Sequence, residues 1–155
     1  MDAYRRYGPA LLRKARRLLR NEEDARDVVQ TLFLDLLQKS DVPQDLAYLY
    51  RALTHRCLNL MRDEKNRARL LARETPALAG PRRIAADEQT MGIDALFKLA
   101  SRVDESVMET LVYRFVDEMG QEEIAQFMSV SRKTVQNRLS RASEALTHLS
   151  AEVSS

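Results

Sequence analysis

The run GQEEIAQFMSVSRKTVQNRLSRASEAL, residues 120–146, holds the side chains best suited to chemistry in this sequence, and that chemistry is recognition rather than bond breaking. Gly120 suits the cap of a short helix over 121–128, Ser129 and Val130 suit a tight turn, and Ser131 suits the cap of a second helix from Arg132. On that second helix Val135, Leu139, Ala142 and Leu146 recur at i, i+4, i+7 and i+11, which is one buried face. Ile124, Ala125 and Met128 meet it from the first helix, with Ala125 small enough for close approach. The outward face then carries Arg132, Lys133, Gln136, Asn137, Ser140 and Arg141, with Thr134 and Arg138 at its margins. Arginine forks onto guanine, Gln and Asn pair with adenine, and the N-terminal part of such a helix fits the DNA major groove. A merely solvated basic face is the competing explanation. Residues 132–141 hold four cations and two side-chain amides without one acid, in a chain otherwise laced with Asp and Glu, which favours nucleic acid.

Other chemistries are poorly supplied. Cys57 is the single cysteine, so no internal disulfide forms. With only His55 and His148 beside it, no four-ligand structural zinc site is available. Cys57 and His55 stand two residues apart, which on a helix splays them by about 200°. Cys57 is expected to be a small buried apolar residue. The sequence has no Gly-rich phosphate loop, no Gly-x-Ser-x-Gly elbow and no histidine paired with a nucleophile, so neither an enzyme nor a cofactor is expected. No apolar run approaches the roughly 18 residues of a membrane span, and the first residues lack the apolar centre of a signal peptide. A reduced, cytoplasmic binding protein without membrane insertion is expected.

The elements that must position these residues are helical. Four Gly and four Pro in 155 residues, with abundant Leu, Ala, Arg and Glu, favour helix, and no alternating strand pattern occurs. Tyr4, Tyr7, Leu11, Ala15, Leu18 and Leu19 form one apolar stripe, with Gly8 and Pro9 expected to mark a helix start or restart. Asn21 is placed to cap the next helix, whose first turn holds Glu22, Glu23 and Asp24 where the helix dipole favours negative charge. That helix reaches about Gln38, and Ala25, Val28, Val29, Leu32, Phe33, Leu36 and Leu37 give it more apolar width than one neighbour requires. Asp45 is expected to cap a third helix to about Asn66, and a fourth stretch repeats the helical pattern through Leu96, Leu99, Val103, Val107, Leu111, Val112 and Phe115 to a break at Gly120. ETPALAGPRRIAADE, residues 74–88, interrupts helix with Pro76, Gly80 and Pro81. The expected fold is all-α: two small helical domains over 1–73 and 89–155, the second containing a helix-turn-helix, joined by a linker over 74–88.

Total charge is almost balanced, 25 Lys plus Arg against 23 Asp plus Glu, so affinity for nucleic acid must come from its distribution. The first 20 residues carry seven cations against Asp2 alone, whereas residues 21–50 are predominantly acidic, which dresses the first two helices differently.

Three ordered segments together resemble one family. EEIAQFMSVSRKTVQNRLSRA, residues 122–142, resembles the promoter-reading C-terminal domain of bacterial sigma factors of the extracytoplasmic-function (ECF) group of the sigma-70 family. DARDVVQTLFLDLL, residues 24–37, is similar to that group's acidic helix for core RNA polymerase, and AYLYRALTHRCLNLMRDEKNR, residues 47–67, to its promoter-melting helix. The resemblance implies that Arg132, Lys133, Thr134, Gln136, Asn137, Arg138 and Arg141 read the minus-thirty-five element of promoter DNA. It implies that Asp24, Asp27, Gln30 and Leu34 contact core RNA polymerase, with Val28, Leu32 and Leu36 in the core. Solvated first-turn acids are the alternative for Asp24 and Asp27. It further implies that Tyr48, Arg51, His55, Arg56, Asn59 and Arg62, with the loop from Ser40 to Asp45, capture unpaired bases of the minus-ten element, while helix packing remains open for Tyr48, Tyr50 and His55. An anti-sigma factor is a further implied partner. Where the family usually has Gly in the helix-turn-helix turn this chain has Ser129, expected in a left-handed or bridge backbone conformation. A stand-alone helix-turn-helix regulator acting without polymerase is the alternative, disfavoured because no dimerisation helix or effector domain is evident.

Overall fold

A computed structural model describes residues 2–39, 45–74, 88–100 and 102–154. All regular structure among them is helical: α1 Asp2–Leu19, α2 Glu22–Gln38, α3 Leu46–Glu74, α4 Glu88–Leu99, α5 Glu105–Leu111, a π-helical turn Val112–Val116, α6 Gln121–Met128 and α7 Arg132–Ser154. Backbone packing groups the chain into Met1–Leu60 and Met61–Ser155, the division falling inside α3.

In the first unit α1 runs unbroken through Gly8 and Pro9, where a start or restart was expected. Proline removes one backbone donor to the carbonyl four residues back, a loss this helix absorbs through its tertiary contacts. Leu11, Ala15 and Leu18 of α1 pack with Ala25, Val28, Val29, Leu32 and Leu36 of α2 and Leu49, Leu53 and Cys57 of α3, all buried. The α1–α2 corner is tightly specified. Arg20 ends α1 with φ 57°, its N–H donating to the Arg16 carbonyl. The Asn21 side chain then accepts from the N–H groups of Glu23 and Asp24 at 2.9 and 3.2 Å, as its position predicts. Arg16 forks onto Glu22 at 2.7 and 2.6 Å, and that hydrogen bond holds the Glu22 carboxyl below its ordinary range. Lys14 is buried with Nζ 3.6 Å from the Tyr50 ring centre, a cation over a π face. Burial pushes the Cys57 thiol up to about 12.

Asp45 caps α3 by accepting the Tyr48 N–H at 2.8 Å. The helix continues to Glu74, beyond the expected end near Asn66. Its sequence through LLARE contains no Pro or Gly to stop it, and Pro76 is the first breaker. The loop over 40–44 and most of the expected linker, 75–87, lie outside the described residues.

In the second unit the expected apolar run over 96–115 is two helices and a π turn. Asp104 caps α5 by accepting the Val107 N–H at 3.2 Å. The π turn then inserts one extra residue per turn, so Val112, Tyr113 and Val116 face inward and Phe115 is rotated out to 65% exposure. Phe115 therefore leaves the core stripe in which the plain 3.6-residue period put it. The Tyr113 hydroxyl donates to buried Glu109 at 2.7 Å, and its ring meets Phe127 edge-on at 5.0 Å, tying the π turn to α6.

Candidate nucleic-acid interface

The helix-turn-helix is built as its sequence demands. Glu123 accepts the Gly120 N–H at 3.1 Å at the start of α6. At its end Ser129 adopts φ 57°, ψ 44°, and the Val130 N–H donates to the Ala125 carbonyl at 2.9 Å. The left-handed residue with this long-range bond satisfies the last carbonyls of α6 and reverses the chain. Ser131 Oγ accepts the Thr134 N–H at 3.0 Å, capping α7. Ile124, Met128, Val135 and Ala142 are buried between the helices, Ala125 and Leu139 are half-buried, and Leu146 is exposed rather than closing the expected face.

This seam turns one face of α7 to solvent. Arg132, Lys133, Gln136, Asn137, Ser140 and Arg141 are exposed and Thr134 is half-buried. Arg138 differs: half-buried, its Nη1 donates to buried Thr110 of α5 at 3.4 Å and lies 3.8 Å from the Met128 sulfur. Thr110 in turn donates to the Ser106 carbonyl at 2.8 Å, so Arg138 joins α7 to α5. A residue not anticipated in sequence is Glu122 of α6, whose carboxylate is 3.5 Å from Arg132 Nη1. Nine residues of chain separate them, and only the fold brings them together.

On α3, Tyr48 and Asn59 are exposed, whereas Arg51, His55, Arg56 and Arg62 are half-buried. Arg56 pairs with Asp35 of α2. Arg62 Nε donates to the Ala100 carbonyl at 2.9 Å within the second unit. Arg51 and His55 also have partners in the protein. On α2, Asp24, Asp27 and Gln30 are exposed, and Leu34 and Leu37 stand 60% and 61% exposed, so the apolar width of this helix exceeds what the fold covers. Val28, Leu32 and Leu36 are buried as expected. Phe33 instead meets Tyr4 of α1 edge-on, ring centres 5.1 Å apart. Among the described residues no group of three or more His, Cys, Asp or Glu is placed to hold a metal, and no helix is long and apolar enough to cross a membrane.

Comparison with protein families agrees with this layout. Residues 3–67 match the family described as Sigma-70 region 2, and residues 94–146 match Sigma-70, region 4. Among solved structures, the chain is similar to the sigma factor RpoE from Bartonella quintana, in co-crystal with the anti-sigma factor NepR. That likeness is 19% identity over 91% of this chain and 89% of that chain, with a TM-score of 0.49. Comparison with curated protein sequences finds no match. Two family regions in order account for most of the chain and contain both the acidic helix α2 and the basic face of α7: the protein belongs to the sigma-70 family and is a sigma factor, which binds core RNA polymerase and directs it to promoter DNA.

Proposed function

We propose that the protein is an ECF-group sigma factor in which α7 reads the minus-thirty-five element, α3 and the loop before it capture the minus-ten element, and α2 docks on core polymerase. The observation that carries this is the outward face of α7, exposed and rich in cations and amides, set on a helix-turn-helix seam. Family regions 2 and 4 separated only by residues 68–93 favour the ECF group. The proposed domains are 1–73 for region 2 and 89–155 for region 4, with 74–88 as linker. Arg132, Lys133, Thr134, Gln136, Asn137, Arg138 and Arg141 are assigned to the upstream element, with Gln136 and Asn137 reading bases and Arg141 a phosphate. Tyr48, Arg51, His55, Arg56, Asn59 and Arg62 are assigned to the downstream element, where a melted strand needs flat side chains for stacking and cations along its phosphates. Asp24, Asp27, Gln30 and Leu34 are assigned to polymerase, supported by the acids and uncovered apolar surface of α2. The protein carries out no bond chemistry and acts in the cytoplasm. An anti-sigma factor is a further proposed partner, by analogy with the NepR complex of RpoE.

Run-off transcription with purified core enzyme on genomic DNA tests the whole assignment: defined start sites should appear only when the protein is added. Gel shifts separate the alternative, since a stand-alone regulator binds its site equally well without core. Asp27→Arg should weaken co-purification with core while helix content is retained; unchanged core affinity would remove α2 from the polymerase interface.

A further inference from the structure

We infer that Glu122 is a specificity-determining residue of the recognition face, acting through Arg132; the inference rests on the proposal that α7 reads DNA. Two glutamates open α6, and they have different duties. Glu123 accepts the Gly120 N–H and so holds the start of the helix. Glu122 projects to the neighbouring helix, where its carboxylate lies 3.5 Å from Arg132 Nη1, with both side chains largely in solvent. Arg132 is the first residue of α7, the end that enters the groove in a helix-turn-helix. The first cation to meet DNA is therefore already partnered by an acid, whereas Lys133 and Arg141 have no ion pair among the described residues.

An exposed pair of this kind is weak and opens readily, so it does not bar DNA. Its effect is differential. On any duplex the phosphates attract every cation, and an acid beside Arg132 offsets part of that sequence-independent attraction. A correctly placed guanine offers Arg132 two acceptors in fork geometry and outcompetes the single contact to Glu122. Glu122 thus lowers affinity for wrong DNA more than for right DNA, which is discrimination by a repulsive element. The plain alternative is that Glu122 only complements the α6 dipole, which would affect stability and leave the ratio of affinities alone.

The test measures fluorescence anisotropy of the full-length chain with two probes across a KCl series. One probe is a scrambled duplex, the other the tightest duplex recovered by selection from a random library. Glu122→Gln should bind the scrambled duplex about two- to fivefold more tightly, with a salt dependence steeper by about one ion. The selected duplex should change less, so the specificity ratio falls. Arg132→Ala should abolish most of this effect in the double variant, and Glu123→Gln should lower the melting temperature without moving the ratio. An unchanged ratio in Glu122→Gln, or the same effect with and without Arg132, would overturn the role of Glu122. If Arg132→Ala itself weakens neither probe, the assignment of the α7 face fails with it.

Discussion

The α7 face and the α3 face, both assigned to DNA, are prepared in different ways. On α7 the polar side chains project from a helix whose opposite side is sealed by Ile124, Met128, Val135 and Ala142, and most of them are exposed. On α3 the cations are committed: Arg56 to Asp35, Arg62 to the Ala100 carbonyl, with Arg51 and His55 also engaged. A duplex presents a fixed groove, so a rigid preformed face suits it and little ordering cost remains at binding. A melted strand has no fixed shape, and on the proposed assignment its capture would require α3 to exchange internal partners for bases and phosphates. If both assignments hold, recognition upstream should be fast and followed by a rearrangement downstream.

Removing the support of the α7 face should break it most severely. Ile124→Ala deletes a fully buried side chain of the α6–α7 seam without touching an outward residue. It should cost about 2–5 kcal/mol in urea denaturation, and upstream binding should weaken with it; full binding at normal affinity would mean that the seam does not set the face. The inner side of α3 should respond to alkali. The Cys57 thiol is raised from 9.0 to about 12 by burial, so the neutral form is favoured in the fold. Its stabilisation is complete below pH 9 and is lost as pH rises toward 12. At pH 10 the loss should be about 1.4 kcal/mol relative to pH 7, and Cys57→Ala should flatten that dependence; an equal slope in both proteins would assign it to other groups.

Smaller effects should sharpen the contrast. Ser129→Gly relieves a left-handed residue in the turn before α7 and should raise stability by about 0.5–1 kcal/mol. Upstream specificity should hold, because the turn already has its final geometry. Asp35→Asn frees Arg56 and should lower stability by at most about 1 kcal/mol, as for a partly exposed pair. Permanganate reactivity of thymines near the start site should then rise with core enzyme present. A fall in reactivity would mean that the Asp35–Arg56 pair is the working arrangement and that α3 does not exchange it.

Local signals were legible wherever a side chain meets its own backbone. Asn21, Asp45 and Ser131 cap the helices their positions predict, and Ser129 takes the left-handed conformation expected where the family has Gly. The π turn was not legible, because one inserted residue changes the period without changing composition, and Phe115 consequently moved from core to surface. Nor could spacing rules pair residues across elements. Arg56 with Asp35, Arg138 with Thr110 and Arg132 with Glu122 each join different helices. Arg138 stood at the margin of the basic face in the helical projection, and only the packing of α5 shows why it turns inward.

The central claim, that α7 reads upstream bases while α3 acts on the opened strand, is tested most directly by transcription from a randomised promoter library. Core enzyme would be supplied with wild-type protein or with Gln136→Ala, Asn137→Ala or Arg141→Ala, and start-site yields sequenced. The account predicts relaxed preference at one or two upstream positions for Gln136→Ala and Asn137→Ala, each worth about 1–3 kcal/mol of discrimination. Arg141→Ala should lower all promoters alike and flatten the salt dependence. Uniform losses from all three substitutions, or relaxation confined to the minus-ten element, would contradict it.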